Sequence, residues 1–286
     1  MRISDILRKK KTIVSYEIFP PKSAAELERT FEIAGKIASL KPDFISVTCG
    51  ASGNTAVYTE KIAQYIEKSS VPALAHITCT SACKERITAI LDDYVNMGIE
   101  NVLALRGDLP KGVQYTAGGR YLYANELVAA IKQHSNFCIG AACYPEGHIE
   151  SANQDEDTAY LKQKVDAGCD FLTTQMFFDN SVLYKFLYKL FRKDINVPVL
   201  AGIMPVTNKL QIRRILELSG TVLPPRFQNI VDKFGGNPAS MKQAGIAYAT
   251  EQIIDLVAND VHGIHIYTMN KPDVAEQIMQ NLSNIL

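Results

Sequence analysis

The chain has 286 residues and is 47% hydrophobic, enough for one sizeable core. Lysine plus arginine and aspartate plus glutamate number 30 each, so no net field draws the chain to nucleic acid or an anionic membrane; a small ligand held by local charges is the expected partner. The opening MRISDILRKKK is basic without an apolar stretch, and no later run reaches the ~18 apolar residues of a spanning helix, which predicts a soluble, cytoplasmic protein.

In chain order, short runs of strand-forming residues recur: TIVSYEIF, DFISVTCG, PALAHITC, NVLALRGD, FCIGAACYP, FLTTQMFF, VPVLAGIMP and GIHIYTMN, eight in all. Between them lie stretches with the 3.6-residue period of a helix, among them AAELERTFEIAGKIASL, TEKIAQYIEK, KERITAILDDYVNMG and EDTAYLKQKVDAG. Two of these close on glycine, at Met97-Gly98 and Ala167-Gly168, where a left-handed cap ends a helix just before the next apolar run. Strict alternation, with strands apolar on both faces, predicts a parallel sheet covered by helices. Eight units predict an α/β fold of the closed (β/α)8, or TIM barrel, type, with a doubly wound open sheet as the alternative. The segment 206–260 is too long for one helix and is broken by LSGTVLPPRFQN, so one helix, an added short helix and a long final one are expected near the last βα unit. No linker or low-complexity stretch divides residues 1–286, which are expected to form a single domain.

The six cysteines, Cys49, Cys79, Cys83, Cys138, Cys143 and Cys169, lie mostly in apolar runs and form no C-x-x-C, which favours reduced, buried thiols over a metal site or a disulfide framework. Polar residues gather instead at the C-terminal ends of the predicted strands: Glu17, Thr48, His76, Arg106 with Asp108, Tyr144, Gln175 and Tyr267. In a barrel those ends build the active site, whereas the strand interiors are expected to stay dry. Thr48, Tyr267 or His76 taken alone reads as a satisfied strand-end or core residue. Together they mark a polar mouth.

Glu17 lies in SYEIFPP, where an apolar setting disfavours a charged carboxyl and suits it to donate a proton; a salt-bridged glutamate at the rim is the competing reading. Arg106-Gly107-Asp108 ends its strand with a planar multi-donor fork, a residue that lets backbone approach a ligand, and a fixed negative charge. The loop YPEGH, residues 144–148, supplies an aromatic ring, a kinked backbone and a histidine. Asp157, Tyr160 and Lys164 follow on one helical face, and could meet ribose hydroxyls and a phosphate, although spacing alone favours a solvated amphipathic helix. Neither G-x-G-x-x-G nor G-x-x-x-x-G-K-[ST] occurs, so any nucleotide must be held by strand ends and helix faces.

The segments SYEIFPPK, FISVTCGA, HITCT, LALRGDLP, AACYPEGH, KVDAGCDFLTTQMFFD, GIMPVTN and HIYTMNK, in this order from first strand to last, closely resemble methylenetetrahydrofolate reductases of the bacterial type. The resemblance implies a (β/α)8 barrel with noncovalent FAD, which accepts hydride from NADH or NADPH and passes it by a ping-pong route to 5,10-methylenetetrahydrofolate. It places the flavin on Thr48, Ala51, His76, Arg106, Gly107, Asp108, Tyr123, Ala124, Tyr144, His148, Asp157 and Lys164, and so reverses the local reading of the last helix face. It makes Glu17 the general acid and Asp108 a second catalytic carboxylate, lying between flavin and pterin. It puts Gln175, Gln211, Tyr267 and Lys271 on the substrate side.

Three positions depart from the family pattern: Lys271 stands where many relatives have arginine, and Cys49 and Met176 replace aromatics. The chain stops after the barrel, so the regulatory domain of animal relatives is not expected. A homo-oligomer is expected. A barrel subunit that takes electrons from a partner protein is the alternative, and a folate- or pterin-binding module without redox chemistry is a third reading that Glu17 argues against.

Overall fold

The computed structural model describes residues 1–49, 56–79, 82–107 and 118–286. The strands β1 (Ile13–Ile18), β2 (Phe44–Val47), β3 (Ala73–Thr78), β4 (Asn101–Leu105), β5 (Cys138–Cys143), β6 (Phe171–Thr174), β7 (Val199–Ile203) and β8 (Gly263–Tyr267) follow one another around a closed barrel. Every neighbouring pair is parallel, including β8 on β1, so the open-sheet alternative is set aside.

Helices alternate with the strands: α1 (Ile3–Lys9), α2 (Leu27–Ala38), α3 (Ala56–Lys68), α4 (Lys84–Asn96), α5 (Ala124–His134), α6 (Gln154–Asp166), α7 (Asn180–Arg192), α8 (Lys209–Ser219), α9 (Pro225–Phe234), α10 (Pro238–Ala258) and α11 (Pro272–Leu282). The predicted interruption between β7 and β8 is real. Gly220, left-handed at φ 70°, stops α8; Pro225 then opens α9 at the first helical position, where its missing N–H costs nothing. Asn237 caps α10 by accepting from the Ala239 and Ser240 amides. No helix among the described residues is long and apolar enough to cross a membrane.

Helix α1 was not foreseen, because its basic residues obscured the i, i+3, i+4 spacing of Ile3, Ile6 and Leu7. These three pack with Ile13, Phe44, Leu74, Leu103, Phe171 and Leu200 in a cluster that closes the N-terminal end of the barrel. Each such buried aliphatic side chain contributes ~1.5–3 kcal/mol, enough to fix the plug although the helix is short. Asn101 ties it down, accepting from the Ile3 amide at 2.8 Å and donating to the Met1 carbonyl at 3.1 Å.

Parallel register decides which side chains face the barrel axis. Ser15 pairs with His265 and Phe44, Glu17 with Tyr267 and Ser46, and His76 with Leu103. With a side-chain period of two, Ile13, Ser15 and Glu17 face inward on β1, and Gly263, His265 and Tyr267 do so on β8. Outward residues such as Tyr16, Ile45, Ala75 and Ile266 join the main core under the helices. The floor is therefore apolar, and Glu17, His76 and Tyr267 stand above it, toward the C-terminal ends.

Candidate active site

Glu17 is 8% exposed, and its Oε2 lies 3.8 Å from Nε2 of both His76 and His265. His265 was missed in the sequence, and it corrects the expectation of dry strand interiors. Its Nδ1 is 2.8 Å from Ser15 Oγ, which itself donates to the Ile264 carbonyl. That donation leaves Ser15 to accept the Nδ1 hydrogen, while Nε2 faces Ser46 Oγ at 3.4 Å and Glu17. Phe44 stacks on the imidazole at 5.9 Å and Tyr267 meets it edge-on at 5.3 Å. The reason His265 escapes the sequence is positional: in GIHIY the period of two carries it into the barrel one layer below Tyr267, whereas strand ends alone point only to Tyr267.

His76 is buried, and among the described residues its Nε2 has no hydrogen-bond partner. Burial pulls the imidazole down to about 4, against an opposing pull from Glu17, so the 3.8 Å contact is not an ion pair near neutral pH. In the unfolded chain the same ring takes up a proton near 6.5. Stability is therefore fully present above that value and is lost as pH falls toward about 4, where the folded ring also protonates. A shift of this size is linked to about 3 kcal/mol. The expected result is a steeper drop of the thermal midpoint in wild type than in His76→Gln between those limits; parallel curves would show that His76 carries no such linkage.

On β4, Arg106 follows the last strand residue, and Gly107 turns the chain with φ 83°, a value that favours glycine. The Arg106 fork is not empty: Nη1 and Nη2 donate to the Glu150 carboxylate at 2.5 and 2.7 Å. Glu150 is not among the residues the sequence predicts for the site, and its carboxylate holds the guanidinium above its usual range. Tyr144 and His148 flank it in the β5–α6 loop as a T-shaped pair 4.6 Å apart. Burial, with Arg106 next, lowers the His148 imidazole.

Helix α6 brings Asp157 and Lys164 to the same place. Asp157 is half-buried, which raises its carboxyl against opposing pulls from Lys164 and His148, and it accepts from Ser151 Oγ at 3.4 Å. Lys164 donates to the Ala142 carbonyl at 2.7 Å and is pushed down by burial. Tyr160, on the same helical face, is exposed and donates to Glu156. Tyr123 occupies the N-cap position of α5 without a side-chain cap and is 58% exposed, with Ala124 opening that helix beside it. Thr48 donates its amide to Ile18 and accepts from Thr59 through its carbonyl. Ala51 and Asp108 lie outside the described residues.

On the other side of the mouth, Gln175 turns its Oε1 to the Met176 amide at 3.0 Å, leaving its Nε2 hydrogens without a partner among the described residues. Tyr267 donates to the Thr174 carbonyl at 2.6 Å, and burial raises its hydroxyl well above the ordinary value. The ring fits only because residue 202 is glycine: a Cβ there would sit 2.4 Å from the Thr174 carbonyl oxygen and 2.7 Å from the Tyr267 hydroxyl. Tyr267 is thus a wall whose hydroxyl is already engaged. Lys271 donates to Thr207 Oγ1 at 2.6 Å and is lowered by burial, while Gln211 lines a small apolar recess with Met204, Ile212 and Met269. A cleft of about 370 Å³ lies on the flank, between the β5–α6 loop and α7, and shares Tyr144 and Asp157 with the mouth.

The protein-family model described as methylenetetrahydrofolate reductase matches residues 2–283. The chain is 33% identical to 5,10-methylenetetrahydrofolate reductase of Escherichia coli (strain K12), over 94% of this chain and 90% of that protein. It is 35% identical to methylenetetrahydrofolate reductase (NADH) 1 of Arabidopsis thaliana over 99% of its own length, and spans about half the length of that relative. In fold it matches an uncharacterised protein from Clostridium thermocellum that binds two copies of 5-methyl-5,6,7,8-tetrahydrofolic acid, with a TM-score of 0.69 at 14% identity over all of both chains. A likeness at that identity speaks for the barrel alone. The family match over nearly the whole chain, and the bacterial relative matched over nearly its whole length, carry more: the chain belongs to the methylenetetrahydrofolate reductase family.

Proposed function

We propose that this chain reduces 5,10-methylenetetrahydrofolate to 5-methyltetrahydrofolate, using noncovalent FAD and taking its electrons from NADH or NADPH. The observation that carries the reading is Glu17: a carboxyl 8% exposed, facing the barrel mouth between two imidazoles, is an arrangement for moving a proton and not for holding a surface charge.

The residues present suit FAD. Its phosphates need a fork and a cation, which Arg106 and Lys164 supply; its ribose hydroxyls suit Asp157. The Nε2 of buried His76, which has no partner among the described residues, suits a polar group on the flavin side. Thr48, Ala51, Gly107, Asp108, Tyr123, Ala124, Tyr144 and His148 are assigned to the same site from the family pattern. A bound flavin supplies reversible two-electron chemistry, taking hydride from the nicotinamide and giving it to the folate in turn.

Glu17 then has a defined task. The bridging methylene resists hydride until the five-membered ring opens to an iminium at N5, and opening needs a proton on N10. Glu17 delivers that proton as general acid. The Nε2 hydrogens of Gln175 bind whichever substrate occupies the mouth, Gln211 faces the folate, Tyr267 forms a wall, and Lys271 offers a point charge to the folate tail. The family pattern gives Asp108 the role of supplying negative charge to the cationic iminium.

The test is spectroscopic. Purified protein reconstituted with FAD is expected to be yellow, to bleach on anaerobic addition of NADH or NADPH, and to recover on adding 5,10-methylenetetrahydrofolate. Colourless protein that takes up no FAD would overturn the reading; colour that neither nicotinamide bleaches would assign the electrons to a partner protein.

A further inference from the structure

We propose that Thr268 and Asn270 are positioning residues, a clasp on the end of β1 that aims the Glu17 carboxyl; the inference rests on Glu17 acting as the proton donor. Strand β8 ends at Tyr267 and β1 at Ile18, so beyond them the ladder holds neither chain. Side chains take its place. Buried Thr268 donates through Oγ1 to the Glu17 carbonyl at 2.6 Å and accepts from the Asn270 amide at 3.2 Å. Asn270 accepts from the Phe19 amide through Oδ1 at 2.8 Å and donates through Nδ2 to the Phe19 carbonyl at 3.0 Å. The main chain is therefore gripped on both sides of Ile18, with both polar groups of Phe19 satisfied as a strand neighbour would satisfy them.

The grip is made against a backbone preference. Met269 and Asn270 are both left-handed, at φ 53° and 56°, and neither is glycine. Asparagine tolerates that conformation and methionine adopts it only at a cost, so two such residues in succession persist only where their surroundings hold them. A simple turn after β8 would avoid the strain, so the strained form is retained for what it places. Lys271 hangs from the same turn, donating its amide to the Thr268 carbonyl at 3.0 Å. Acid and folate-side cation thus share one support.

Asn270→Gly keeps the left-handed turn and removes both bonds to Phe19; Thr268→Val removes the hydroxyl at constant shape, and Thr268→Ser restores it. Amide hydrogen exchange at Phe19 in flavin-free protein is expected to rise about tenfold or more in Asn270→Gly, with the remainder of the barrel unchanged. In FAD-loaded protein, oxidation of the reduced flavin by 5,10-methylenetetrahydrofolate is expected to slow about tenfold to a hundredfold in Asn270→Gly and Thr268→Val, reduction by the nicotinamide to stay within about twofold, and Thr268→Ser to match wild type. Equal slowing of both half-reactions, or a faster Phe19 exchange with an unchanged folate half-reaction, would overturn the positioning role. Should Glu17→Gln leave the folate half-reaction intact while Phe19 exchange still rises, the proton-donor assignment is what fails, and the clasp is reduced to a structural fastening.

Discussion

Glu17→Gln is expected to slow oxidation of the reduced flavin by 5,10-methylenetetrahydrofolate by about a hundredfold to ten-thousandfold while its reduction by NADH or NADPH stays within about threefold. The substitution preserves shape and a hydrogen-bonding oxygen but cannot yield a proton to N10, and hydride transfer from nicotinamide to flavin needs no such proton. The surroundings make the comparison clean. His76 stays neutral through burial and so does not substitute for the lost acid near neutral pH, and His265 is held in place by Ser15 and stacked by Phe44. Rapid-mixing absorbance of the two half-reactions decides the matter. Equal slowing of both would mean that Glu17 shapes the mouth instead of donating a proton.

That Glu17 could be singled out at all follows from how a barrel is written in sequence. Alternating apolar runs and amphipathic helices specify the ring, and its geometry then puts strand ends at the mouth, so Glu17, His76, Gln175 and Tyr267 could be placed by counting along runs. What escaped lies where counting gives no signal. His265 sits mid-strand between two isoleucines, and only inward–outward alternation, applied to every position instead of the last, exposes it beside Ser15 and Ser46. Glu150 is one acidic residue among several in a polar loop; nothing local shows that it will meet Arg106, 44 residues earlier. The clasp is hidden for a different reason: its function depends on two left-handed residues, and methionine at the first gives no hint of one. The face carrying Asp157 and Lys164 shows the opposite limit, since its spacing is that of an ordinary solvated helix and only a family pattern distinguishes it.

The Arg106–Glu150 pair leads to the second large effect, on cofactor affinity. Arg106→Lys is expected to raise the dissociation constant for FAD by about tenfold to a hundredfold, and Arg106→Ala further, measured by quenching of flavin fluorescence on titration with protein. The argument is geometric. A guanidinium has five N–H donors in a plane, of which Glu150 takes two, at 2.5 and 2.7 Å, leaving the others for phosphate while the carboxylate fixes the plane. Lysine keeps the charge and loses both the fork and its anchoring. Glu150→Gln, which leaves the arginine its charge but weakens the grip on its plane, is expected to cost less than Arg106→Lys. Were Glu150→Gln to tighten FAD binding instead, the carboxylate would be a competitor for the phosphate and not a support for the arginine. Were Arg106→Lys to bind FAD as wild type does, simple charge would suffice at this strand end and the bidentate reading of Arg106 would fall.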